Sequence, residues 1–123
     1  MEHEDEVYLD HMLQTARKAI AKLGGRSRAE FDADEDLQIV LAHLVQVIGE
    51  AAGRVSEPFK ALHAGVPWRR IVGMRHRIVH DYMNINLDIL WEVATRNLPD
   101  LAAMLSGLRQ DGGSSKASTD PPG

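Results

Sequence analysis

"LQIVLAHLVQVIGEAAGRV", residues 37–55, decides the fold class. Leu37, Leu41, Leu44, Ile48, Ala51 and Val55 recur at alternating spacings of four and three, the signature of a helix with one apolar stripe. Val40 and Val47 widen that stripe, which predicts a helix central to a bundle rather than one lying on its surface. The acids after Asp34 sit where the helix dipole favours negative charge, so the helix is expected to begin there. Gly49 and Gly53 lie one turn apart, and their missing side chains predict close approach of a neighbouring helix.

The same period runs outward in both directions. Toward the N-terminus, Leu9, Met12, Leu13, Ala16, Ala19, Ile20 and Leu23 predict a helix over roughly 4–23, ended by Gly24 and Gly25. Toward the C-terminus, Ser56 with Pro58 predicts a short helix. A further helix is expected from about Pro67 through Tyr82. Asn86 is placed to cap the next one. Leu87, Leu90, Ala94, Leu98, Leu101, Leu105 and Leu108 stay in phase across Pro99, so a kink or two abutting helices are expected at that proline. No stretch shows sustained strand alternation. The fold class is therefore all-α, an up-and-down bundle of four to five helices over residues 1–110. The segment from Asp111, "DGGSSKASTDPPG", has too few apolar residues to repay its ordering entropy and is expected to be a disordered tail over 111–123.

Composition bounds the function. A chain of 123 residues reads as one domain, long enough for a real core. It has no cysteine, which excludes disulfides and thiolate metal sites and fits a cytoplasmic setting. No apolar run approaches membrane-spanning length, and the acidic opening "MEHEDEVYLD" has the wrong charge for a signal or transit peptide. The net charge is -4. Between Lys60 and Tyr82, however, five basic residues face the single acid Asp81, a window of +4, which leaves -8 on the rest of the chain. A basic patch on an acidic body points to an anion.

That patch centres on "MRHRIVHDYMNIN", residues 74–86. Turning a helix by about 100° per residue groups Trp68, Ile71, Val72, Ile78, Val79 and Tyr82 on one side, with Arg75 in their midst. Arg69, His76 and His80 fall on the flank, and Arg70 and Arg77 face away. An arginine in an apolar stripe needs a partner. One reading is a structural ion pair with Glu50 or another acid. His76 and His80, one turn apart, read either as two surface residues or as a metal pair, for which no third ligand is near. The functional reading joins the two residue types. Arginine offers a permanent, planar charge that fits phosphate oxygens, and histidine exchanges a proton near neutral pH. Together they suffice for phosphodiester cleavage in RNA without a metal or other cofactor.

"RHRIVHDY", residues 75–82, carries the R-x-x-x-x-H-x-Y signature and resembles the HepT-like branch of the HEPN ribonucleases. "VIGEAAGRVSE", "VPWRRIVGMRHRIVHDY" and "NLDILWEVATRNLPDL" are similar to three blocks of that family in the same order, a resemblance spanning about residues 5–108. The resemblance implies a HEPN-like homodimer whose arginines and histidines share one cleft along the two-fold axis. It implies a metal-independent endoribonuclease toxin acting on RNA. Its partner would be a minimal nucleotidyltransferase antitoxin able to transfer AMP onto the signature tyrosine. Arg75 and His80 would be the catalytic pair, and Tyr82 the AMPylation site. His76, where many members have asparagine, and Arg69 would support them. The alternative from another class is a non-catalytic helical module that binds a nucleotide or a nucleotidyltransferase through the same patch.

Overall fold

This computed structural model describes the backbone of residues 3–81 and 84–119, and the side chains of residues 4–79 and 84–108. The helices are α1 (His3–Leu23), α2 (Arg28–Asp32), α3 (Glu35–Arg54), α4 (Glu57–Leu62), α5 (Trp68–Ile78), α6 (Leu87–Glu92) and α7 (Leu98–Thr119). A short antiparallel pair, β1 (Val79–Asp81) and β2 (Asn84–Ile85), lies between α5 and α6. Among the described residues, no helix is long and apolar enough to cross a membrane.

The all-helical bundle expected from the apolar period is the observed architecture. α3 packs along α1 on one side and α5 on the other, while α7 returns against α1. Leu9, Met12, Leu41, Ile48, Ile78, Leu90, Leu98 and Leu105 are fully buried where these helices meet. Burying each such side chain contributes about 1.5–3 kcal/mol. Gly24 and Gly25 end α1 with φ of 58° and 77°, a left-handed backbone that only glycine adopts without cost. Asp34 caps α3, accepting from the Leu37 N–H at 3.0 Å, and Asn86 caps α6, accepting from the Ile89 N–H at 3.0 Å. Ser56 caps α4 and is itself held by the buried Asp5 carboxylate, which accepts from the Ser56 N–H at 2.8 Å and its hydroxyl at 2.7 Å. That contact ties the start of α1 to the far end of α3.

Several local expectations change. Helix α2 was not anticipated, although "SRAE" at 27–30 carries its capping box. The Ser27 hydroxyl accepts from the Glu30 N–H at 3.1 Å, and the Glu30 carboxylate accepts from the Ser27 N–H at 2.9 Å. The Ser27 N–H first, and then the Ser27 hydroxyl, hold the Glu30 carboxyl below its ordinary range. Val40 does not widen the buried stripe of α3. It is 39% exposed and Ile39 is 53% exposed, while Val45 and Ala52 turn inward instead. Ahead of Pro99 the helical stretch is divided, as expected, into two abutting helices, α6 and α7, and the new feature is the element that joins them. The chain passes through a π-helical turn, Val93–Asn97, whose wider bond from the Leu98 N–H to the Val93 carbonyl absorbs the strain before proline. The helical backbone also continues past Asp111 to Thr119, and residues 120–123 lie outside the described residues.

The largest change is at the signature. α5 stops at Ile78 rather than running through Tyr82. Val79 has φ -106° and ψ 109°, and the chain then pairs Val79 with Ile85 and Asp81 with Asn84. The β-branched pair Ile78–Val79 keeps the apolar phase of the helix but suits extended backbone equally well.

Candidate active site

The candidate site lies on the outer edge of the α3–α5 pair. α5 approaches α3 closely because Gly49 has no side chain. A Cβ there would stand 3.2 Å from the Ile71 carbonyl oxygen and 3.3 Å from that of Val72. Gly53, by contrast, faces open space, so only one of the two glycines sets the helix spacing.

With α5 seated this way, Trp68, Ile71, Met74 and Ile78 form its buried stripe. Arg75 is therefore not in the middle of the apolar side. It is exposed, at the border of the stripe, beside Val72, which is 43% exposed. The expected ion pair with Glu50 is absent. The Arg75 Nε donates to the Gln46 side-chain carbonyl at 3.1 Å, and the Gln46 amide donates onward to Glu50 at 3.1 Å. Among the described residues, no carboxylate forms a salt bridge with Arg75. Among the described residues it is held by a neutral amide, which orients the guanidinium without neutralising it.

His76 and Arg69 are exposed and line one groove between α4 and α5. Arg70 also borders that groove, and with Arg77 it borders a separate crevice against α7, which Asn97 and Asp100 complete. A buried oxygen of the Asn97 side chain has no hydrogen-bond partner among the described residues. His80 belongs to β1, two residues beyond the end of α5, and its side chain lies outside the described residues. Tyr82 lies outside them altogether. The helical register that set His80 one turn above His76 is thus replaced by a helix-to-strand transition, which removes the spacing on which a metal pair would rest. Among the described residues, no group of three or more histidines, aspartates or glutamates is placed to hold a metal.

What the sequence did not reveal is Gln46. It lies on α3 and contacts Arg75 from 29 positions away, so only the packing of the two helices brings them together. On the α3 wheel it shares the outward face with Ile39, His43 and Glu50, a placement the period alone supports.

Residues 12–108 match the family described as "Ribonuclease HepT-like". The chain belongs to the HepT-like ribonuclease family. It is 32% identical over 103 residues to "Putative RNase TTE0752" of Caldanaerobacter subterraneus subsp. tengcongensis, covering 84% of this chain and 92% of that protein. It is 30% identical over 81 residues to "Probable ribonuclease HepT" of Thermococcus cleftensis, covering 66% of this chain and 74% of that one. "Putative RNase MJ1380" of Methanocaldococcus jannaschii is 24% identical over 78% of the chain and 88% of its own length. No solved structure matches the chain. The matched region runs from α1 to Leu108 on α7, and so takes in Arg75, His80 and Tyr82.

Proposed function

We propose that this protein is a metal-independent HEPN-type endoribonuclease, with Arg75 and His80 as its catalytic pair and a site shared by two copies of the chain. The observation that carries the reading is the state of Arg75. It is an exposed cation, held at one end by Gln46, on the last turn before the segment that bears His80, in a chain of a ribonuclease family.

The chemistry follows from the two side chains. The His80 imidazole takes the proton from an RNA 2′-hydroxyl, and the freed oxygen attacks the adjacent phosphorus. The bond to the 5′-oxygen of the next nucleotide breaks, and that oxygen takes up a proton, from the second histidine of a shared cleft or from water. Negative charge builds on the phosphate oxygens during the attack. Arg75 meets it with a planar, permanently protonated fork already oriented before substrate arrives. Arg69 and His76, on the neighbouring flank, assist by holding the strand.

The second copy is expected to dock on the face around Arg75. Val72, one turn before Arg75 on α5, is apolar and exposed on a single chain, as are Ile39 and Val40 on α3. A minimal nucleotidyltransferase antitoxin would silence the enzyme by transferring AMP to Tyr82. The decisive experiment incubates the purified, unmodified protein with total RNA in the presence of a chelator, alongside His80→Ala. Cleavage by the parent and none by the variant is expected. Equal cleavage by both removes His80 from the mechanism. Binding without cleavage by the parent favours a non-catalytic nucleotide-binding module.

A further inference from the structure

We infer that the groove between α4 and α5, which leads outward from the Arg69–His76 flank of the cutting site, is a track for the sugar–phosphate backbone of single-stranded RNA and is indifferent to base sequence. The inference rests on the ribonuclease reading for the identity of its ligand.

The groove is broad, about 910 Å³, and three permanent cations, Lys60, Arg69 and Arg70, line it together with His76. Against them stands one acid, Glu57, which lies 3.6 Å from the Lys60 ammonium and is 88% exposed. The Lys60 side chain is itself only 14% exposed, but at 3.6 Å from a carboxylate that lies in solvent its ammonium is loosely held and stays on the groove wall. Arg69, Gly73 and His76 follow one another at helical spacing on one face of α5, so the two side chains are about 10 Å apart along the axis. Between them Gly73 leaves open space, because a Cβ there would meet nothing within 4 Å. The result is two basic posts with an unfilled gap between them, along which a chain of phosphates fits.

Among the described residues, no exposed tryptophan, tyrosine or phenylalanine lines the groove. Strand-binding grooves that read or grip bases do so with exposed aromatic rings. The tryptophan here, Trp68, is 8% exposed, and its indole N–H is spent on the His63 carbonyl at 3.0 Å. Ala61 and Ala64 complete the wall with small side chains, and Val72 closes the groove on the side of the proposed dimer face. Such a surface contacts phosphate and sugar, not base edges, so its binding is electrostatic and carries no sequence information. Its α4 wall is a six-residue helix about 9 Å long, which suits one strand and not the width of a duplex.

The test uses the full chain in a His80→Ala background, so that bound RNA is not cut. Binding of a fluorescein-labelled oligouridine and of a mixed-sequence strand of equal length is measured by anisotropy across a salt series. Lys60→Gln with Arg70→Gln is expected to make the plot of log affinity against log salt shallower by about 1.4, some 0.7 for each lost contact. Both strands should respond alike. Lys60→Arg with Arg70→Lys should restore the slope, which separates charge from fold. In the active protein the same double glutamine variant should raise KM for long RNA and leave cleavage of a dinucleotide unchanged. An unchanged slope in a protein that still binds RNA overturns the track and leaves the ribonuclease reading standing. A parent that neither binds nor cuts RNA removes both. A clear preference between the two strands that the double variant abolishes overturns the claim of sequence indifference. Displacement by polyglutamate as effective as that by RNA assigns the groove to an acidic protein instead.

Discussion

Gln46 holds the Nε end of Arg75 with a neutral amide, which orients the guanidinium without cancelling its charge. A carboxylate in that place would have neutralised the cation that the developing phosphate charge needs. The expected consequences are specific. Arg75→Ala should abolish cleavage while changing stability by no more than about 0.5 kcal/mol, because the side chain is exposed. His80→Ala should abolish cleavage as well. Arg77→Ala should be near neutral, since Arg77 faces the α7 crevice rather than this edge. Gln46→Ala should fall between these extremes, with kcat lowered and binding kept. Single-turnover cleavage and thermal melts on the same preparations check all four, and full activity in Arg75→Ala would refute the electrostatic role. The sequence made Arg75 conspicuous for a reason that does not hold. Trp68, Ile71, Val72 and Ile78 centre an apolar arc near it, but the helix actually buries Ile71, Met74 and Ile78. A wheel cannot tell which border of an arc faces the core. That choice is made by the approach to α3.

The approach is set by one glycine, and this gives a prediction at the level of the helix pair. Gly49→Ala brings a methyl to 3.2 and 3.3 Å from two backbone oxygens of α5, and backbone cannot move aside as a side chain can. The substitution should cost about 1–3 kcal/mol, the range for overpacking, and should also displace Arg75 from Gln46 and lower activity. Gly53→Ala, four residues on in open space, should stabilise the same helix by about 0.4–1 kcal/mol. Chemical denaturation of the two variants decides the matter, and a destabilised Gly53→Ala or a neutral Gly49→Ala would contradict this account. The long helices α1 and α3 were legible because their apolar period, caps and terminal glycines agree with one another. α2 was missed because five residues are too few to show a period, though its capping box was written in "SRAE". The end of α5 was missed because Val79 and Tyr82 prolong its phase beyond its last helical turn at Ile78. The evenly phased leucines on either side of Pro99 were read as a kink or two abutting helices, and α6 and α7 do abut, but the π-helical turn between them has no sequence signature strong enough to have been foreseen.

At the scale of the whole molecule, the site is expected to be completed by a second copy and closed by a partner. Tyr82 follows His80 by two residues, so an adenylyl group attached to it would place a bulky anion beside the cations that RNA needs. Co-expression with a neighbouring nucleotidyltransferase should add one or more AMP masses to the chain, and Tyr82→Phe should prevent this while keeping the fold and much of the cleavage. An unmodified chain that is nonetheless silenced would leave occlusion by the partner as the mechanism.

The dimer prediction rests on the surface itself. Ile39, Val40 and Val72 are 53%, 39% and 43% exposed; Val72 precedes Arg75 by one turn of α5, and Ile39 precedes Gln46 by two turns on the outward face of α3. Single exposed apolar residues are ordinary, but exposed β-branched ones on both α3 and α5, with Val72 one turn from an arginine that no described carboxylate pairs, fit an interface whose centre is dry and whose rim is open to an anion. Light scattering at micromolar protein should therefore read twice the 13.6 kDa of one chain. Val72→Glu places a carboxylate on that face, next to the partner's copy of the same surface, where it repels its symmetry mate and pairs with Arg75. It should shift the protein toward monomer and cost cleavage, with the helical content unchanged because Val72 contributes little to the core. Val72→Ala separates the two effects, since it removes apolar area without adding charge and should weaken association only modestly. A parent that scatters as a monomer, or a monomeric Val72→Glu that cuts RNA at the parental rate, would show that one chain holds a complete site.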